Sequence, residues 1–225
     1  MKSSNILPFN PLDKKNLGAS VAEAMLEQTP IPLGQLNRFR GSGIYAIYYV
    51  GDCEAYEPLA VRNRDGAFRH PIYVGKAVPS GARKGGGVGD ISLEDGQPLY
   101  KRLREHAESI SAASDLNLSD FFCRFLVVDD IWIPLGESLL IAKFTPIWNV
   151  LIDGFGNHNP GKGRFAGMRP RWDVLHPGRD WALKCGERIE TRQNIIADAL
   201  NFFTSIAFPA SHHILGPSQQ PQLPL

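Results

Sequence analysis

Gly43-Ile44-Tyr45-Ala46-Ile47-Tyr48-Tyr49-Val50 is the stretch whose reading decides the fold. Ile44, Ala46, Tyr48 and Val50 fall on one side of a period-2 pattern, and Tyr45, Ile47 and Tyr49 on the other. That alternation, in residues that suit a pleated surface, predicts a strand. Pro71-Ile72-Tyr73-Val74-Gly75 predicts a second strand, with proline at its start, where a missing N–H is tolerated. As neighbours in one sheet, the two runs would bring Tyr45 and Tyr73 to one face. Two readings follow. The pair is either an ordinary aromatic packing pair, or two adjacent phenols able to handle protons.

Beyond these runs, residues 98–110 predict a helix with proline in its first turn and Leu99, Leu103 and Ile110 as its apolar stripe. Arg102 and His106 are four apart and therefore neighbours, with His106 inside the stripe and Arg102 at its edge. An inward histidine is ordinarily a satisfied core residue; beside an arginine and two tyrosine strands it is also a candidate for chemistry. Residues 121–128 predict a central strand. Residues 134–144 predict a helix with Leu140, Ile141 and Phe144 inward, and at 100° per residue Glu137 falls in the middle of that face. A buried lone carboxylate needs a proton or a partner such as a hard cation. The alternative is an exposed glutamate favoured by the helix N-terminus. Pro146-Ile147-Trp148-Asn149 reads as a short extended piece, in which Asn149 supports Glu137 or serves as a turn residue.

Residues 1–40 read as an arm with one helix, capped by Ser20-Val21-Ala22-Glu23 and stopped by Pro30-Ile31-Pro32. The central sheet is expected to begin at Gly43. Residues 52–71 and 79–97 read as long charged or glycine-rich connections. Gly85-Gly86-Gly87-Val88-Gly89 lacks the Gly-Lys-Ser/Thr of a phosphate loop, and Gly154-Phe155-Gly156 lacks the third glycine of a dinucleotide fingerprint. A last helix is expected over 187–203, with Ile189, Ile196, Leu200 and Phe203 inward, and 209–225 is expected to be disordered.

With 225 residues, 43% apolar and 21% charged, the chain suits one domain with arms. Its three cysteines, Cys53, Cys123 and Cys185, form no Cys-x-x-Cys pair, so reduced thiols are expected rather than disulfides or zinc. No apolar run approaches the ~18 residues of a membrane span, and no signal-peptide core is present, so a cytoplasmic location is expected. Formal net charge is only +1, but basic residues cluster between Arg62 and Arg104 and again from Arg164 to Arg179. Such clusters either neutralise phosphates or are solvated surface charge.

Taken in order, Gly-Ile-Tyr45, Tyr73-Val-Gly-Lys76, Arg102-x-x-x-His106, a helical Glu137 and Asn149 resemble the GIY-YIG nuclease superfamily across residues 41–150. Val74 stands where that family usually has isoleucine, a packing-neutral exchange. Asn149-Val150-Leu151-Ile152-Asp153-Gly154-Phe155-Gly156-Asn157-His158 and Trp172-Asp173-Val174-Leu175-His176-Pro177-Gly178-Arg179 are similar to a narrower branch, the type II restriction endonucleases that cut CCGCGG.

The resemblance implies an α+β fold: a small, mainly antiparallel three-stranded sheet flanked by helices, with long DNA-contacting insertions at 52–71 and 77–98. It implies an arm (1–40), a catalytic core (41–150), an extension packed on the core (151–208) and a disordered tail (209–225). It also implies metal-dependent hydrolysis of double-stranded DNA. In that chemistry Tyr45 is the general base, and Lys76 and His106 are the candidates to lower its pKa or take its proton. Tyr73 holds water or phosphate, and Arg102 presents a fork of charge to the phosphate. Glu137 holds a single Mg²⁺, for which Mn²⁺ can substitute, and Asn149 orients Glu137 or its loop. Arg62, Arg64, Arg83, Arg169 and Arg171 are the candidates to contact DNA and read guanine. A homodimer is implied, as is a cognate DNA methyltransferase in the same system. Two rivals remain: a repair or homing nuclease on the same module, and a DNA-binding relative without catalysis.

Overall fold

The computed structural model describes residues 10, 12–78, 96–159, 161 and 165–206. The anticipated loop 79–97, the glycine run 85–89, Arg83 and the tail 209–225 lie wholly or mostly outside the described residues. Gly43–Tyr49 (β2) is a strand with every residue buried. It pairs antiparallel with Tyr73–Ala77 (β3) on one side and Phe121–Val127 (β4) on the other. A two-residue strand, Ile31–Pro32 (β1), adds antiparallel to β4, giving the order β1-β4-β2-β3. The sheet therefore has four strands, not three, and begins before Gly43. The segment expected only to stop a helix also covers the β4 edge, and a proline there removes a donor that would otherwise invite pairing.

The two sides of β2 meet different layers, as its alternation predicts. Ile44, Ala46 and Tyr48 pack with Ala22 and Met25 of Lys14–Glu27 (α1) and with Ile133 and Leu140 of Ile133–Phe144 (α4). Tyr45, Ile47 and Tyr49 pack with Leu99, Leu103 and Ile110 of Pro98–Ala112 (α3), and with Trp148, Phe155 and Trp172. The result is a sheet between two helical layers. Gly43 is required where β2 starts, because its φ is +156° and a side chain would run into the Leu126 carbonyl.

Several boundaries differ from expectation for local reasons. Asp13, not Ser20, caps α1, its side chain accepting from the Lys15 amide; the longer helix then buries Gly18, Ala22 and Met25. The 52–71 connection contains a helix, Glu57–Asn63 (α2). Residues expected to be extended after α4 form a helical turn, Ile147–Val150 (α5), set off by Thr145 at φ +47° and by Pro146. Beyond it come Arg171–Leu175 (α6) and Arg192–Ser205 (α7). The last helix starts later than expected because Thr191 and Asn194 form a reciprocal capping box. Ile189 therefore lies outside it and is 96% exposed rather than inward. Among the described residues no helix is long and apolar enough to cross a membrane.

Candidate active site

β2 and α3 bring the first pair together. The Tyr45 hydroxyl and His106 Nε2 share a 2.6 Å hydrogen bond, and both residues are buried. His106 also stacks on Phe155, with ring centroids 4.5 Å apart and planes 16° from parallel, while Tyr73 meets its edge. Burial pushes the His106 pKa well below the ordinary histidine value, and the charges of Arg102, His158 and Arg179 push the same way. Burial likewise raises the Tyr45 phenol well above its usual value; Tyr73 adds to that and Arg102 opposes it. At neutral pH the pair is thus a neutral phenol beside a neutral imidazole.

Register explains how the tyrosines converge. Tyr45 sits opposite Gly75 in the β2–β3 ladder, and Tyr73, two residues before Gly75, shares its face. The Tyr45 and Tyr73 rings lie 6.2 Å apart. A side chain at position 75 would collide with the Tyr45 hydroxyl, so glycine is what lets the phenol cross the strand. Arg102, one turn before His106 on α3, donates to Glu105 Oε2 (2.9 Å), His158 Nε2 (2.6 Å) and the Gly156 carbonyl (2.8 Å).

Lys76 lies on the opposite face of β3 by the same alternation, and its ammonium is 2.5 Å from Glu137 Oε2 on α4. β3 is an edge strand, so its two faces share an open rim. Glu137 is close enough for its charge to raise both the Tyr45 and Tyr73 pKa values. It is neither deeply buried nor free: 19% of its side chain is exposed and its partner is an amine. Lys76 is engaged with Glu137, and His106 is the group on Tyr45.

Asn149 makes no hydrogen bond to Glu137. Its side-chain amide donates to the Val74 carbonyl and accepts from the Val74 amide, both at 2.8 Å. It acts as a one-residue strand partner for the free edge of β3, a more demanding task for its two-sided amide than a turn would be.

The arginine candidates among the described residues are each held by other partners. Arg171 is buried and ion-paired with Asp198 and Glu190, so it braces α6 against α7 instead of presenting a fork outward. Arg64 grips Glu57 with Nη1 and Nη2, Nη2 also donating to the Gly51 carbonyl and Nε to the Val50 carbonyl. Arg169 bonds the Ala182 and Leu183 carbonyls, and Arg62 the Pro58 carbonyl.

The sequence reading gave no site role to residues 154–158, Glu105 or Arg179, yet all border the centre. An open cleft of about 440 Å³ runs along α3 past Arg102, His106, Gly156, His158, Arg179 and Trp181. Gly-Phe-Gly followed by Asn-His-Asn was the available signal for a tight loop, but nothing local says what that loop faces.

The donor set also bears on a metal ion. Among the described residues no cluster of three or more His, Cys, Asp or Glu could hold one. Glu137 offers a carboxylate at the rim. That suits Mg²⁺, which keeps several waters and takes one or two carboxylates plus substrate phosphate oxygens, better than a metal needing a complete protein cage.

No curated protein matches the chain. A family model described as the Eco29kI GIY-YIG domain, a restriction endonuclease family, matches residues 37–203, which span Tyr45, Tyr73, Lys76, Arg102, His106, Glu137 and Asn149 and the segments 149–158 and 172–179.

Proposed function

The chain belongs to the Eco29kI GIY-YIG domain family, and from that membership we propose that it is a type II restriction endonuclease. It hydrolyses phosphodiester bonds of double-stranded DNA at a palindromic G·C-rich site, CCGCGG. The observation that carries the reading is the 2.6 Å Tyr45–His106 contact, with Tyr73 and Arg102 beside it and Glu137 at the same rim. A free phenolate is disfavoured here, so the base works as a relay. Water gives a proton to the Tyr45 oxygen as the Tyr45 proton passes to His106 Nε2. The water oxygen bonds phosphorus, and the bond to the leaving oxygen breaks. A neutral imidazole is the acceptor this needs, and the negative charge of bound DNA stabilises the imidazolium that results.

Arg102 presents fixed charge to the phosphoryl oxygens, exchanging Glu105 for phosphate as DNA enters. Tyr73 holds the water or the phosphate. Glu137 would hold one Mg²⁺, with Mn²⁺ able to substitute; when bound it would supply positive charge to the phosphate and leaving oxygen. Lys76 neutralises Glu137 until then. Arg62, Arg64, Arg83 and Arg169 remain the candidates to read guanine, Arg62, Arg64 and Arg169 after releasing their present partners. One such centre cuts one strand, so cleavage of a palindrome calls for a homodimer whose two-fold axis coincides with the dyad of the site, perpendicular to the DNA helix axis. A cognate methyltransferase would protect the host's own sites.

Plasmid incubated with the protein and Mg²⁺ should give discrete fragments ending at CCGCGG. Tyr45→Phe should lower the cleavage rate by about 10²–10⁴-fold while leaving DNA affinity near wild type. Full activity in that variant would remove the relay, and lesion-directed nicking without discrete fragments would favour a repair-type nuclease.

A further inference from the structure

We propose that Arg179 is a positioning residue of the active site: its guanidinium fixes the 154–158 loop, and that loop in turn holds His106 and Arg102. The inference rests on the reading of those two residues given above. Arg179 is 5% exposed and lies between the rings of Trp172 and Trp181, 4.5 and 4.7 Å from their centroids. All five of its N–H groups have acceptors. Nε and one terminal nitrogen fork onto Asp173 at 2.7 and 2.6 Å. The remaining three reach the carbonyls of Gly154 (2.9 Å), Phe155 (3.1 Å) and Asn157 (3.3 Å).

Each of those carbonyls flanks a group that touches the catalytic pair. Phe155 supplies the ring stacked on His106, Gly156 supplies a carbonyl to Arg102, and His158 supplies a nitrogen to Arg102. The loop has little room to settle elsewhere. Gly154 is at φ +105°, and a Cβ on Gly156 would come within 2.8 Å of the Tyr73 hydroxyl and 3.2 Å of Arg102. A buried ion pair is a weak device for stability alone. A saturated fork that ties three carbonyls of one short loop is a strong device for geometry. The Trp172–Arg179 segment is thereby a working part of the site, contributed from outside the 41–150 core.

The test uses the full chain carrying Asp173→Asn with Arg179→Met, which removes both buried charges together, and Arg179→Lys, which keeps the charge and loses the fork. Ile195→Ala, a core truncation in α7, serves as the destabilised comparison. Three quantities are read: single-turnover cleavage of a CCGCGG duplex, affinity for that duplex with Ca²⁺ in place of Mg²⁺, and the His106 imidazole titration by NMR in metal-free protein. Expected for both Arg179 variants are a rate loss of about 10²-fold, the scale of a misplacement of roughly 1 Å, affinity changed by less than about threefold, and His106 titrating nearer its ordinary value as Phe155 withdraws and its burial falls. Rates that fall only as far as Ile195→Ala predicts from the folded fraction, with His106 unmoved, overturn the proposal, as does wild-type cleavage by Arg179→Lys. If the double variant does not fold, Asp173→Asn alone is read in the same assays against the same outcomes. Should wild type cut no DNA, the functional reading fails, while the His106 titration still decides whether Arg179 sets that residue's surroundings.

Discussion

Gly75 shows how one residue without a side chain can shape the proposed catalytic centre. Tyr45 lies across it, and any Cβ there meets the phenol oxygen and the ring carbon bearing it. Gly75→Ala should therefore destabilise the protein by about 1–3 kcal/mol through overpacking. It should also slow cleavage by about 10²-fold by pushing the phenol off His106. Urea unfolding and single-turnover cleavage measure the two effects; an alanine variant with wild-type rate would mean that Tyr45 need not occupy this position. At this scale much of the site was legible. Tyr45, Tyr73, Arg102 and His106 were placed by periods of 2 and 3.6 residues, which convert spacing directly into shared faces. Glu137 was legible as an inward position but not as the partner of Lys76, since the two lie on elements far apart in the chain. Arg179 was legible only as a member of a basic cluster and of the Trp172–Arg179 segment, because its meaning lies in three carbonyls that carry no side-chain signature.

At the scale of elements, β3 works as an edge strand only because something closes its outer side. Asn149 does so with two hydrogen bonds to Val74, held in position by the turn from α4 into α5. Asn149→Ala should cost about 1–3 kcal/mol by leaving both backbone groups of Val74 without their present partner. It should also speed exchange of the Val74 amide in hydrogen-exchange NMR and lower activity, since the same strand carries Tyr73 and Lys76. Unchanged exchange at Val74 would show that water replaces the amide without loss. The strand, helix α3 and helix α4 were readable from apolar periodicity. The turn into α5 was not: Thr145 adopts a left-handed backbone that β-branched residues avoid, and the propensity argument pointed elsewhere. Likewise α7 begins where a capping box closes, not where apolar spacing first permits.

For the whole molecule, three histidines set a common response to acid. Burial lowers the pKa of His106 and His176, in the latter case outweighing Asp115, and brings His70 down to about 4. Unfolded, each would bind a proton near its ordinary value of about 6.5. Between that value and the depressed one, the unfolded chain holds more protons than the folded one. Stability is thus full above pH ~6.5 and is lost progressively as pH falls toward about 4. Urea midpoints should decline steadily from pH ~7 to ~5, and a flat profile over that range would contradict the burial of neutral imidazoles. The four-stranded antiparallel architecture was legible in outline, one short strand aside. How residues 151–206 close over the catalytic face was legible only through family resemblance.

Arg124 has a consequence for anyone wishing to trim this chain. Seated on the central sheet over the Tyr48 ring, its guanidinium takes the carbonyls of Gln28, Ala67 and Phe68 at once. Cutting away the first thirty residues would therefore do more than shorten a leader. It would strip one of three acceptors from a buried cation and uncover the layer beneath Ala22 and Met25. The smallest autonomous nuclease obtainable from this scaffold should begin no later than the residue that caps its first helix, and shorter versions should accumulate as insoluble aggregate when expressed.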